Sequence, residues 1–246
     1  MKSRIAEEIR LQNQPVAIIF TDDKPEDAVE FKPGVWSCVI AMLTASTKGK
    51  TGVFSEATCT CQGGKIGLCF VDTFQGTPGE IEYFLSTGKG EGYPEGEGYK
   101  KTPELAKTFV DQLPMTVIPH KYVVFKPLSE VDIDKETPEI VAMLVNADQL
   151  SALGVLANYG RPGMDAVIAP FGAGCHTICL LPYNESKKDQ PKAIIGCMDI
   201  SARPYVDKNQ LSFAVPYKMF REMEDNVPGS FLERPDWQKI QKRIYE

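Results

Sequence analysis

The stretch TGVFSEATCTCQGGKIGLCF, residues 51–70, joins a predicted strand to a predicted helix through a turn rich in cysteine and glycine. The residues TGVFSEA favour a strand, and a short helix is predicted from Lys65 onward. Between them lie Cys59 and Cys61, followed by the pair Gly63 and Gly64. The order strand, turn, helix is the unit from which layered α/β and α+β domains are built.

Strands and helices alternate on both sides of this stretch. Strands are predicted at PVAIIF (15–20), KYVVFKPL (121–128), EIVAMLVN (139–146), DAVIAP (165–170) and KAIIGCMDIS (192–201). Helices are predicted over 3–12, 36–49, 148–160 and 212–227, the last interrupted near Pro216, and around Trp237 at the end. We therefore expect one domain over 1–246 of the α/β or α+β class, with helices on a layered mixed sheet.

A glycine-rich stretch, STGKGEGYPEGEGYKK (86–101), has no hydrophobic period and is predicted to be an exposed loop. It divides the chain into tentative halves, 1–86 and 119–246. Sliding the sequence by 114 positions lays Val53 on Val167 and Cys61 on Cys175. This weak match suggests two pseudo-symmetric halves, whose packing would bring both sulfurs to one interface.

Composition excludes several classes of function. A net charge of -6 and a pI near 5.2 leave no basic surface for nucleic acid or anionic lipid. No apolar run resembles a signal peptide or reaches membrane length. We expect a soluble cytoplasmic protein, and in that compartment the odd count of seven cysteines does not indicate a disulfide framework.

Several cysteines occupy contexts that suit a metal site. Iron–sulfur clusters and zinc take about four thiolates, often from turns where glycine lets backbone amides approach the sulfurs. Cys59, Cys61 and Cys175 lie in such turns, the last after Gly174, and Cys38 lies in a predicted first helical turn capped by Ser37. However, the sequence contains no C-x2-C-x2-C run and no paired C-x2-C. Metal binding, thiol chemistry and core filling all stay open.

The remaining candidates are weaker. Cys69 and Cys197 lie in apolar runs and favour core packing, although Asp199 and Arg203 follow Cys197 at a strand end. His176 could donate to a sulfur, replace a thiolate as ligand, or cap its turn.

The ordered motifs PVAIIF, WSCVIAM, GKTGVFSEATCTCQGGKIGLCF, YVVFKPL, VNADQLSALGVLANY, VIAPFGAGC, GCMDISAR and LSFAVPYKMF cover nearly the whole chain. In this combination the chain resembles the domain of unknown function 169 family, the archaeal cysteine-rich family. The resemblance implies a protein of anaerobic archaea or bacteria with an iron–sulfur site, and it assigns no reaction. The matching positions are Cys38, Cys61 and Cys175.

We therefore expect a 4Fe–4S cubane held between the two halves, serving redox or cluster-based chemistry. Its ligands would be Cys38, Cys61 and Cys175, with Cys197 preferred as the fourth and Cys59 or Cys179 as alternatives. Amides around Gly63, Gly64, Gly172 and Gly174 would tune the cluster, and Arg203 would hold an anion or offset cluster charge. A redox partner protein or a small molecule would be the partner, and the final helices offer a surface for a homodimer or for ordinary packing.

Two rival hypotheses belong to other classes. One is a metal-free thiol enzyme, in which Cys61 or Cys175 is a low-pKa nucleophile or half of a redox pair. The other is a module that binds a small molecule or a protein in an apolar cleft, with cysteines that only fill the core.

Overall fold

The fold is an eight-stranded mixed sheet with helices on both faces, in a computed structural model that describes residues 1–75, 80–88 and 95–244. The strands are β1 (Val16–Thr21), β2 (Val29–Glu30), β3 (Gly52–Ser55), β4 (Tyr122–Pro127), β5 (Ile140–Val145), β6 (Val167–Ile168), β7 (Ala193–Gly196) and β8 (Leu211–Pro216). Their order across the sheet is β2-β3-β4-β1-β5-β8-β7-β6. The predicted α/β class with a layered mixed sheet is confirmed.

The strand order repeats on either side of the central pair β1 and β5. These two strands are antiparallel, with Val16 opposite Ala142. Outward from β1, the pairs β1–β4 and β4–β3 are antiparallel and the edge pair β3–β2 is parallel. Outward from β5, the pairs β5–β8 and β8–β7 are antiparallel and the edge pair β7–β6 is parallel. Strands β1 to β4 therefore correspond to β5 to β8. The alignment that laid Val53 on Val167 was wrong, because it equates β3 with β6, whereas the topology equates β3 with β7.

Nine α-helices lie in the described part of the chain. They are α1 (Arg4–Glu8), α2 (Val39–Thr47), α3 (Gln62–Gly67), α4 (Glu80–Phe84), α5 (Pro103–Asp111), α6 (Ala147–Tyr159), α7 (Leu181–Ser186), α8 (Tyr217–Asp225) and α9 (Pro235–Arg243). A π-helical segment, His176–Leu180, precedes α7, and short 3-10 turns occupy Leu128–Glu130, Arg203–Tyr205 and Phe231–Glu233. None of the described helices is long and apolar enough to cross a membrane.

Alternation along the strands divides the core into two layers. In β1, Val16 and Ile18 pack on one face of the sheet with α2, α3 and the π-helical segment. Ala17 and Ile19 pack on the other face, with α1, α6, α8 and α9. We call the first face the cysteine face, because the core there contains most of the chain's cysteines: Cys59, Cys69, Cys175, Cys179 and Cys197, with Cys38 packed against it.

Several element boundaries differ from the predictions. The helix predicted over 212–227 is instead strand β8 up to Pro216, followed by helix α8 from Tyr217. Phe213 and Val215 pack in one core layer and Ala214 in the other, which is the period of a strand. Helix α3 begins at Gln62, three positions before the predicted start, and α1 is shorter than the predicted 3–12. The final helix near Trp237 is confirmed as α9.

The first half contains an insertion that the second half lacks. Residues 68–121 separate α3 from β4 and include α4 and α5, whereas residues 206–210 suffice to join the Arg203–Tyr205 turn to β8. The end of the predicted glycine-rich loop is not fully exposed. The Tyr99 ring lies 5.3 Å from that of Phe171, and its hydroxyl pairs with Ser201 Oγ at 3.2 Å. Residues 89–94 of that loop lie outside the described residues. The insertion thus forms a wall over the cysteine face.

Candidate functional site

A cavity of about 680 Å³ lies between the cysteine face and the insertion. This volume is within the range of small-molecule sites. Cys38, Cys61 and Cys175 line one side, and side chains of the insertion, among them Tyr99 and Phe109, line the other. The structure therefore brings together at one cavity three of the cysteines that the sequence singled out.

The three lining cysteines occupy the starts of three separate helical segments. Cys38 is the N-cap of α2 and Cys61 the N-cap of α3, while Cys175 directly precedes the π-helical segment. Ser37, the predicted cap of α2, has another role. Its hydroxyl accepts from the backbone N–H of Thr60 at 2.8 Å, and its own backbone N–H donates to Thr60 Oγ1 at 3.1 Å. Ser37 thereby ties the start of α2 to the Cys59–Cys61 turn.

Backbone amides point at two of these sulfurs. The thiol of Cys38 lies near the N–H groups of Ile40 and Ala41, and both contacts lower its pKa. Amides of Gly63 and Gly64 act in the same way on the pKa of Cys61. Burial is the larger effect at both sites and raises both pKa values. The site thus supplies hydrogen bonds for anionic sulfur but too little solvation to ionise a free thiol.

Burial raises the pKa values of Cys175 and Cys59 even more strongly. Burial raises the pKa of Cys175 well above its usual value, and neighbouring thiols and Asp199 add to the effect. For Cys59, burial first and the charge of Cys61 second raise the pKa to about 12. Without a bound cation these thiols are neutral at pH 7, which is the opposite of the setting of a reactive cysteine.

Glycines let α3 approach the other cysteine-bearing segments closely. A Cβ on Gly67 would lie 2.6 Å from Cβ and 2.8 Å from Sγ of Cys175, and a Cβ on Gly64 would lie 2.9 Å from Sγ of Cys59. The carbonyl oxygen of Gly63 accepts from Cys175 Sγ at 3.1 Å and from His176 Nε2 at 3.2 Å. Helix α3 therefore holds Cys61 and Cys175 on the same wall.

Other predicted ligands lie away from the cavity lining. Cys59, Cys179 and Cys197 are each fully buried. Cys59 lies directly behind the wall, against Gly64. The Cys179 thiol neighbours that of Cys69, which adds to the effect of burial in raising the pKa of Cys179. The backbone N–H of Cys197 donates to Thr177 Oγ1 at 3.4 Å. Each of these three thiols has a lining thiol as a neighbour: Cys59 has Cys61, Cys179 has Cys175 and Cys197 has Cys38.

Two predicted cofactor-binding residues have structural roles. Gly174 lets two segments meet, because a Cβ there would lie 2.7 Å from Cγ1 of Ile40 on α2. The guanidinium of Arg203 donates to the backbone carbonyls of the loop before β8: Asp207, Lys208 and Gln210. Arg203 is also absent from the cavity lining among the described residues. The contacts of Arg203 thus hold the loop before β8 in place and do not form an anion-binding site.

Sequence reasoning missed the carboxylates of the cavity. Asp199 lines it and is only 4% exposed, and the backbone N–H groups of Gly174 and Ala202 lie near its carboxylate, although neither is in hydrogen-bonding geometry with Oδ1. Ser201 Oγ donates to the other oxygen at 3.3 Å. Burial raises the pKa of Asp199 and also that of Glu97, where the charge of Asp199 adds to the effect. The position of Asp199 shortly after β7 was a usable signal, whereas nothing in the glycine-rich stretch indicated that Glu97 is at the site.

The donor set suits soft metal chemistry, although the side chains do not converge on one point. Within residues 1–75, 80–88 and 95–244, no three His, Cys, Asp or Glu side chains are placed to hold a single metal ion. Thiol sulfurs with backbone N–H groups directed at them are nevertheless the donors that hold iron–sulfur clusters. The residues present fit such a group by their chemistry.

Comparison with known proteins identifies the family of the chain. A family model for domain of unknown function 169, described as uncharacterised ArCR, matches residues 4–226. Comparisons with curated proteins and with solved structures give no match. The matched range contains every strand of the sheet and all three lining cysteines. The chain therefore belongs to the domain of unknown function 169 (ArCR) family.

Proposed function

We propose that the chain binds an iron–sulfur cluster at the cysteine wall of the cavity, through Cys38, Cys61 and Cys175. One observation carries the proposal: three cysteines from three separate helical starts line the same cavity. Cysteines that only fill a core have no reason to share a cavity wall. Cys59 is the preferred fourth ligand among the cysteines, because it lies directly behind this wall.

The surroundings suit an anionic group bound through sulfur. The amides of Ile40, Ala41, Gly63 and Gly64 would donate to thiolate sulfur and stabilise negative charge there. When bound, a cluster supplies one-electron transfer or an iron that acts as a Lewis acid. Aromatic side chains of the insertion, including Phe109, would exclude water from that wall.

The test is iron and acid-labile sulfide content, with a visible absorption spectrum, on protein purified without oxygen. We expect about four irons with matching sulfide per chain. Single Cys→Ser variants at Cys38, Cys61 and Cys175 should lose most of both. Cys179→Ala is the matched control, since Cys179 is buried on the same face but is outside the cavity lining. Protein without iron and sulfide, or equal losses in the control, would refute the proposal.

A metal-free binding module is the second candidate. It is favoured by the cavity volume of about 680 Å³ and by aromatic walls that suit a small organic molecule. A metal-free thiol nucleophile is less well supported, because burial raises the pKa of Cys61 and Cys175. Thiol alkylation at neutral pH separates the two metal-free candidates. Rapid reaction at one cysteine would favour the enzyme, and slow, uniform reaction would favour the module.

A further inference from the structure

The cavity lining offers fewer thiols than a cubane cluster takes. Four protein groups usually hold the irons of a 4Fe–4S cluster, and the lining contains the thiols of Cys38, Cys61 and Cys175. The other cysteines, all within the described residues, lie outside this lining. The fourth position is therefore open to a side chain of another type.

The two halves of the sheet indicate which side chain that is. The topology equates β3 with β7, and the segments after these strands read Cys-Thr-Cys (59–61) and Cys-Met-Asp (197–199). In both segments the first cysteine is fully buried, and the carbonyl oxygen of the third residue accepts from the N–H group four positions on. These hydrogen bonds run from Lys65 to Cys61 at 2.9 Å and from Arg203 to Asp199 at 3.2 Å. Asp199 therefore has the position in the second half that Cys61 has in the first.

Asp199 also lies among the thiols that would hold the cluster. It lines the same cavity, and its carboxylate is near the N–H group of Gly174, the residue before Cys175. Burial is the largest cause of the raised pKa values of Cys38, Cys61 and Cys175, and neighbouring acidic groups add to it. Asp199 acts on Cys38 and Cys175, Cys38 acts on Cys61, and Cys61 acts on Cys175. Each of the four groups is thus within electrostatic range of at least two of the others.

One carboxylate oxygen of Asp199 is held by a hydrogen bond and the other is not. Ser201 Oγ donates to Oδ2 at 3.3 Å, whereas Oδ1 has no hydrogen-bond partner in the described part of the chain, although the side chain is only 4% exposed. Native proteins rarely leave buried polar atoms unpaired, so such an atom needs an explanation. A carboxylate that is oriented through one oxygen and binds a metal through the other explains this arrangement.

His176 is a rival for the same role. Its Nε2 lies 3.2 Å from the carbonyl oxygen of Gly63, which can only accept, so Nε2 carries the proton and the unpartnered Nδ1 has a lone pair. However, His176 directly follows Cys175, and the residue that directly follows Cys38 in the first half is Val39, which has no ligating group. The relation between the halves thus favours Asp199.

We propose that Asp199 is the fourth ligand of the cluster, beside the thiolates of Cys38, Cys61 and Cys175. The proposal rests on the proposed function and adds the identity of the fourth ligand. Carboxylate oxygen is a hard donor, whereas iron–sulfur clusters favour soft thiolates. The iron held by Asp199 is therefore the one that the protein binds least tightly.

The test follows the selective loss of that iron. Protein purified without oxygen is treated with ferricyanide, and iron, sulfide and the electron paramagnetic resonance spectrum are measured before and after. In this step the 4Fe–4S cluster gives one electron to ferricyanide and releases one Fe²⁺, which leaves a 3Fe–4S cluster. We expect the wild type to fall from about four irons to about three per chain and to show the 3Fe–4S signal. A wild type that keeps about four irons after oxidation overturns the proposal.

Two variants of Asp199 should differ from the wild type in opposite ways. Asp199→Asn removes the anionic ligand and should contain about three irons as purified. Asp199→Cys supplies the side chain found at Cys61 and should keep about four irons after ferricyanide. Asp72→Asn, at an exposed carboxylate of the same lining, is the matched control and should behave as the wild type. If Asp199→Asn does not fold, as judged by circular dichroism, Asp199→Cys gives the result.

The rival ligands and the cluster itself are tested on the same preparations. We expect neither Cys59→Ala nor His176→Gln to lose an iron as purified. Loss of one iron in either of them, with about four in Asp199→Asn, would place the fourth ligand there and overturn the proposal. A wild type without iron and sulfide overturns both the cluster and its fourth ligand. A wild type with about four irons, and Asp199 variants that match it before and after oxidation, overturns only the assignment of Asp199.

Discussion

The approach of α3 to the π-helical segment predicts a specific cost for one added methyl group. In Gly67→Ala the new Cβ would lie 2.6 Å from Cβ and 2.8 Å from the backbone carbonyl carbon of Cys175. Carbon atoms pack at about 3.5–4.0 Å, so the two segments must separate by about 1 Å. Neither atom is the end of a flexible side chain, and the cost should fall at the upper end of the overpacking range, about 3 kcal/mol.

Helix propensity opposes this cost only in part. Alanine is favoured over glycine by at most about 1 kcal/mol in a helix, so Gly67→Ala should lose about 2 kcal/mol of unfolding free energy. Gly154→Ala, inside α6, is the matched control, because a Cβ there meets no atom within 4 Å. It should gain up to about 1 kcal/mol.

Urea unfolding followed by circular dichroism measures both changes. We expect the midpoint to fall for Gly67→Ala and to rise for Gly154→Ala, with the slope unchanged in each. The displaced Cys175 should also lower the iron content of Gly67→Ala if the proposed cluster forms. A Gly67→Ala protein as stable as the wild type would refute the close packing on which the cysteine wall depends.

Three further predictions address the cover of the cavity, the ionisation of a buried acid and the role of one arginine. Tyr99→Phe removes the hydroxyl that pairs with Ser201 and so weakens the attachment of the insertion over the cavity. Alkylation of the lining thiols by iodoacetamide should speed up about fivefold, the factor for one lost hydrogen bond. Tyr159→Phe, at a residue outside the cavity lining, should leave the rate unchanged. Burial raises the folded-state pKa of Glu224, so the stabilisation from its protonation is present below its unfolded pKa and is lost as pH rises through the folded pKa. The stability of the wild type relative to Glu224→Gln, measured by urea unfolding, should therefore increase as pH falls from 7 to 4, and a decrease would contradict the assignment. Arg203→Lys should lower the unfolding free energy by about 1 kcal/mol or more, because the single ammonium nitrogen of lysine cannot span the three carbonyls that two guanidinium nitrogens reach. It should leave the iron content unchanged, and a loss of iron would restore Arg203 as a ligand-binding residue.

Local sequence signals predicted the fold class well because the strands have clear patterns. The run EIVAMLVN became β5, whose residues pack alternately in the two core layers. Boundaries next to proline were less predictable. SFAVPYKMF contains both a strand and a helix, and the change of period occurs at Pro216, which local periodicity interpreted as a break within one helix.

The site was only half predictable. Glycine-rich turns singled out Cys61 and Cys175, a predicted helix start singled out Cys38, and these three do line one cavity. The opposite wall was not foreseen, because it comes from the insertion and because the contacts of Tyr99 and Glu97 are long-range. The glycine-rich polar sequence around Glu97 and Tyr99 predicts an exposed loop. Its packing against Phe171 and the cavity comes from tertiary contacts that local sequence does not indicate.

The pseudo-symmetric topology explains why the cysteine wall lies between the halves. In each half the helical connection between the parallel strands begins next to a cysteine, Cys38 before α2 and Cys175 before the π-helical segment. Both connections pack on the cysteine face, where Ile40 meets Gly174. A twofold relation places equivalent positions at equal distances from one axis. If Cys38 lies close to that axis, its equivalent Cys175 must lie close to the axis as well, and the two are then close to each other.

The same relation identifies what distinguishes the two halves at the site. The segment after β3 reads Cys-Thr-Cys at 59–61, and the segment after β7 reads Cys-Met-Asp at 197–199. In both, the first cysteine is fully buried, while the third residue, Cys61 or Asp199, lines the cavity. A symmetric site would have four lining thiols, whereas this one has three thiols and a carboxylate with an unpartnered oxygen. The first half therefore offers two thiols, Cys38 and Cys61, and the second half offers one thiol, Cys175, and the carboxylate of Asp199. The carboxylate of Asp199 therefore takes the place that a fourth lining thiol would have in a symmetric site, next to Cys38 and Cys175.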